Sequence, residues 1–158
     1  MTAADVCLGL SVQSSVIGFA VYSRAVGLLD WGTICCRYGR GERALLKITD
    51  LFETYHPIQL SIDDHRAKAF RRGETARSRI KQTIRLARNR KVTVSRLSPS
   101  ELKQGLKLSP SSNRYEIAVL IAELFPVLAD RLPQPRKIWQ SEPRGMSMFM
   151  AVALAVTE

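Results

Sequence analysis

The sequence predicts an α/β domain built on a mixed sheet, and three observations carry that prediction. Apolar strands crowd the start of the chain, Val6 to Tyr22 and then Leu28 to Ile34, close enough together for an antiparallel meander. Later segments alternate between short apolar runs and stretches with helical spacing, which places further strands behind helical crossovers. Finally, 158 residues with 46% hydrophobic content suffice for one domain with a substantial core and exclude a disordered chain. One domain spanning residues 1–158 and a five-stranded sheet flanked by helices are therefore expected.

The elements follow in order. Val6, Leu8 and Leu10 alternate with Cys7, Gly9 and Ser11, so the first strand buries one face and nearly buries the other. Gln13, Ser14 and Ser15 form a turn. Ile17 to Val21 resumes the strand pattern around Gly18, where a glycine marks a close backbone approach or a bulge. Leu45, Ile48, Leu51, Phe52 and Tyr55 recur at helical spacing, giving a helix from Glu42 to Tyr55 that His56-Pro57 ends. Ile58 to Ile62 reads as a strand and runs into Asp63-Asp64-His65-Arg66. A helix from about Thr75 to Asn89 has Ile80, Ile84, Leu86 and Ala87 on its apolar side. Val92 to Arg96 is a strand by its β-branched residues. Ser98, Pro99 and Glu101 have the N-cap, first-turn proline and capping-box pattern that opens a short helix to Gly105. Arg114 to Leu132 is helical, with Pro126 expected to kink or divide it. Gly145 to Thr157 is apolar almost all round, as in a helix buried against a sheet.

Charge is the strongest compositional signal. Lys and Arg number 24 against 14 Asp and Glu, a formal net charge of +10. That balance favours a polyanionic partner, nucleic acid ahead of an acidic membrane or protein. No apolar run reaches the length of a membrane span. Asp5 precedes the first apolar run, no leader pattern is visible, and a cytoplasmic location is expected. Three cysteines, two of them adjacent (Cys35 and Cys36), make a poor disulfide framework. His56 and His65 show no ligand spacing with them, so no zinc site is expected.

The positive charge is clustered. From Arg66 to Lys91 Glu74 is the only acid, among Arg66, Lys68, Arg71, Arg72, Arg77, Arg79, Lys81, Arg85, Arg88, Arg90 and Lys91. Arg66, Lys68, Arg71, Arg72, Arg77, Arg79 and Lys81 are the candidate phosphate contacts, and Phe70 is placed to stack on a base or wedge into a junction. A solvated helix face, with Phe70 folded into the core, is the alternative. Asp63 and Asp64 end a strand, where side chains reach the rim of a sheet and ligands gather in open α/β folds.

The element order resembles the RNase H-like fold, and the local sequence resembles its branch of RuvC-type Holliday-junction resolvases. LGLSVQSSVIGFAVYS with LLDWGTI is similar to the family's opening strands, and IQLSIDD to the strand bearing its second acid. LSPSELKQGL, SSNRYEIAVLIAELFP and MFMAVALAVTE are similar to its later segments. The resemblance implies a nuclease site of clustered carboxylates holding Mg2+ or Mn2+. The family's first aspartate falls on Ser11, its second acid on Asp63 with Asp64 adjacent, and its last on Met150, with Ser147 one turn earlier. Glu142 is the remaining acid in that region. Two readings result: a nucleic-acid-binding protein whose nuclease activity is lost or weak, or a metal-dependent, structure-specific endonuclease using Asp63, Asp64 and Glu142. A protein-interaction module with incidental charge is a third. The resemblance also implies DNA ahead of RNA as partner, and a homodimer.

Overall fold

The computed structural model describes residues 5–37, 41–67, 73–137 and 139–157. β1 (Val6–Val12), β2 (Val16–Ser23) and β3 (Gly27–Cys35) form the expected antiparallel meander. α1 (Gly41–Tyr55) leads to β4 (Gln59–Asp63), and α2 (Glu74–Asn89) to β5 (Thr93–Leu97). β4 pairs in parallel with β1 and β5 in parallel with β4, giving one five-stranded mixed sheet ordered β3-β2-β1-β4-β5. α3 (Pro99–Gly105), α4 (Arg114–Leu124) and α5 (Met146–Val156) complete the described helices. None of them is long and apolar enough to cross a membrane.

Alternation along the strands builds a core on each face of the sheet. Leu8, Leu10, Leu60 and Ile62 pack with Ile48 and Phe52 of α1 and Ile80 of α2. Cys7 and Ala20 face the other way, toward Ile117 and Ile121 of α4 and Phe149 and Leu154 of α5. Every residue of α5 from Met146 to Ala155 is buried, which explains a helix with almost no polar side. It lies so close to the sheet that an added Cβ on Gly9 would stand 2.2 Å from the Ala151 carbonyl oxygen, and one on Gly18 1.9 Å from that of Ser147. Gly18 therefore serves close approach; the sheet's register shift lies at Val21/Tyr22 instead.

Two local expectations sharpen. Ser98 and Glu101 form the capping box at the head of α3. Helix α4 stops at Leu124, well before Leu132, and residues Pro126–Arg131 form a separate 3-10 turn. Proline has no N–H to donate and disfavours helical geometry in the residue before it, and Phe125 sits at φ −127°, ψ 84°. From this stretch Ile117, Ile121 and Leu128 enter the core, while Leu124 and Val127 stay exposed.

Candidate functional site

β4 ends in Asp63, whose Oδ2 accepts the Val12 N–H at 2.9 Å, joining the ends of the parallel strands β1 and β4. Asp63 also lines a cavity of about 700 Å³, walled by the end of β5 and by α3, α4 and the segment before α5. Glu142 and Met150 line the same cavity. The fold thus brings together two of the three acids expected from the sequence.

Asp64 goes elsewhere. Its Oδ1 accepts the Arg66 backbone N–H at 3.0 Å and the Arg66 guanidinium at 3.2 Å. Burial pushes the Asp64 carboxyl up, but Arg66 outweighs it, and the net direction is below the ordinary aspartate value. Glu142 is held more firmly. Arg114, in the first turn of α4, donates Nε to Oε2 at 2.8 Å and Nη2 to Oε1 at 2.9 Å, and Gln13 adds a bond to Oε1 at 3.3 Å. A forked guanidinium on a carboxylate is the stronger kind of charged hydrogen bond. Here it ties the β1–β2 turn, α4 and the approach to α5 to one carboxylate.

The positions flanking these acids are neutral. Ser11 and Ser147 are buried, and neither hydroxyl has a hydrogen-bond partner among the described residues. Ser11 stands opposite Gly18 in the β1–β2 register, and Gly18 abuts the Ser147 backbone, so Ser11 lies where the first turn of α5, which carries Ser147, seats on the sheet. Hard divalent cations require several oxygen ligands, carboxylates above all. The donors present do not fit such an ion: one Asp63 oxygen is bonded to a backbone N–H, both Glu142 oxygens are bonded to Arg114, and Asp64 is turned to Arg66. Among the described residues no group of three or more His, Cys, Asp or Glu is placed to hold a metal.

The basic segment lies beside this rim. Arg77 donates to the His65 carbonyl oxygen at 2.7 Å, and Arg79 donates to that of Ser14. Both arginines thereby brace the loops at the ends of β4 and β1. Arg66, Lys81, Arg85 and Arg88 are exposed. Lys68, Phe70, Arg71 and Arg72 lie outside the described residues. Behind the loop His65 is buried, its Nδ1 without a partner among the described residues, and burial together with the neighbouring Arg96 holds it below the ordinary imidazole value. Arg96 is itself lowered by burial and by Arg66 and Arg88, the mark of crowded positive charge.

Sequence reasoning missed Arg114, Gln13 and the basic wall of the cavity, Lys103, Arg136 and Lys137. Asn113 and Glu116 announce the head of α4 by their capping-box spacing, but nothing local signals that the intervening Arg114 meets a carboxylate 28 residues away.

Solved structures share this architecture. The chain is similar to the Thermus thermophilus RuvC structure with a TM-score of 0.68 at 14% identity, covering 96% of this chain and 92% of that one. It is likewise similar to T. thermophilus RuvC in complex with Holliday junction substrate, with a TM-score of 0.69 at 15% identity over 97% of this chain and 91% of that one. No family model and no curated protein matches the sequence. At these identities the likeness shows the fold, which is the RuvC-like, RNase H-like arrangement that the element order resembles.

Proposed function

We propose that this chain is a single RNase H-like domain that binds branched or structured nucleic acid, DNA ahead of RNA, with the nuclease activity of a resolvase lost or weak through degraded acids. The observation that carries the binding reading is the uncompensated charge on α2. Lys81, Arg85 and Arg88 are exposed and make no ion pair among the described residues. Such a row suits phosphates, which position a nucleic acid without reading its sequence. Arg66, Lys68, Arg71 and Arg72 continue the row in sequence, and Phe70 is the residue there for stacking. A solved neighbour bound to a Holliday junction makes a junction the first ligand to try.

The weak-nuclease reading rests on Ser11, Ser147 and Met150, none of which brings a carboxylate, and on the engagement of Glu142 by Arg114. A second reading, an endonuclease dependent on Mg2+ or Mn2+, is favoured by one observation: Asp63 and Glu142 line the same cavity. One experiment separates the two. Purified protein is incubated with labelled four-way junction, duplex and single strand, in magnesium and then manganese, with Asp63→Asn alongside. Tight, salt-sensitive junction binding without cleavage is expected. Cleavage that disappears in Asp63→Asn establishes the enzyme instead. Sedimentation of the same sample tests the homodimer.

A further inference from the structure

Next to Lys137, which lines the cavity, stands an aromatic group that the phosphate row does not account for. Trp139 is 78% exposed, more than any other large hydrophobic side chain among the described residues. An indole has a large apolar face with a hydrogen-bond donor at one edge, and it is usually at least half covered in a monomeric fold. This one is held out by a built turn. Gln140 donates its N–H to the Lys137 carbonyl oxygen at 2.9 Å, and Lys137 donates its own to the Gln140 side-chain oxygen at 2.9 Å. Arg136 closes the turn by donating to the Gln140 carbonyl oxygen at 2.8 Å.

The surroundings define what the ring can receive. The Lys137 ammonium lies 5.3 Å from the ring centroid, so one face of the indole carries a cation. Arg136 and Lys137 also line the cavity in which Asp63 and Glu142 sit. An exposed ring under one cation, with a second cation in the same turn, on a chain of net charge +10, is the combination that single-stranded nucleic acid requires: a surface for a base and counter-charge for its phosphates. Bases inside an intact duplex are already stacked on both sides and have no face to offer.

We propose that Trp139 is a stacking platform for an unpaired base, with Arg136 and Lys137 holding the adjoining phosphates. The proposal rests on the nucleic-acid reading above and adds to it a preference for ligands that contain an unpaired nucleotide.

The test uses the full chain. The sequence has two tryptophans, and Trp31 is half-buried, so Trp31→Phe leaves Trp139 as the sole indole reporter. A short thymidine oligomer and a blunt duplex of the same length are titrated separately, with indole emission and labelled-strand anisotropy both followed. The oligomer is expected to quench Trp139. Trp139→Ala is expected to weaken oligomer binding about 5- to 150-fold, to leave duplex affinity within about twofold, and Trp139→Phe to restore most of the loss. Unchanged oligomer affinity in Trp139→Ala, with wild-type binding intact, overturns the stacking role and leaves the nucleic-acid reading standing. Failure of the wild type to bind the oligomer overturns the stacking role, and failure to bind the four-way junction as well overturns the nucleic-acid reading. A change of sedimentation from dimer to monomer in Trp139→Ala, without loss of oligomer affinity, assigns the ring to a protein contact and overturns the proposal.

Discussion

Glu142 shows how one residue's partners decide what it can do. Its carboxylate receives Arg114 through two hydrogen bonds and Gln13 through a third, in a setting where the two charged side chains are only 23% and 29% exposed. Removing the guanidinium leaves a half-buried negative charge with one neutral donor. Arg114→Met is therefore expected to lower the unfolding free energy by roughly 1.5–3 kcal/mol, the ordinary worth of hydrogen bonds to a charged group. Arg114→Lys is expected to recover only part of it, because an ammonium cannot make the forked pair. Urea melts of the three proteins read this directly. Equal midpoints for Arg114→Met and wild type would show that the pair adds nothing to the fold.

At the scale of elements, the decisive contact is between α5 and the sheet. Gly9 and Gly18 let a helix backbone rest on strand backbone, where neither side has a flexible atom to move. Gly18→Ala places a methyl group inside the Ser147 peptide, so α5 must lift or the strand must shift. The expected cost is about 3 kcal/mol or more, at the upper end of overpacking penalties, and a lower thermal midpoint measures it. Most elements were legible because period-two and helical spacing write burial directly into the order of residues, as in Val6 to Leu10 and in α1. The capping box of Ser98 was legible for the same local reason. The cavity was not. Its walls come from β4, α3, α4 and the approach to α5, and the Arg114–Glu142 pair spans 28 residues that carry no trace of the pairing. Asp63 and Asp64 looked equivalent as neighbours, yet successive residues at a strand end point opposite ways, and only Asp63 lines the cavity.

For the whole molecule, the net charge of +10 is concentrated on α2, which packs beside the edge strand β5, and in the sequence just before it. Long-range attraction of this kind sets association and salt dependence more than it sets selectivity. Charge reversal at Arg85 and Arg88 is expected to weaken binding to every nucleic acid alike. It should also flatten the plot of log affinity against log salt by about 0.9 for each lost phosphate contact on a duplex. Anisotropy titrations at several salt concentrations give the slope. An unaltered slope would move the phosphate path away from α2. The single-strand preference assigned to Trp139 belongs to a different term, since stacking on an aromatic ring tolerates salt better than an ion pair does.

The seating of α5 on β1 and β2 also bears on how the chain is made. The helix that covers one face of the meander is the last element of the described chain, while the meander is the first. During synthesis, at about 5–20 residues per second, Ala20 and the other residues of that face wait in the open for seconds until α5 emerges. Until then the apolar side chains of that face, Cys7 and Ala20 among them, have no α5 to pack against.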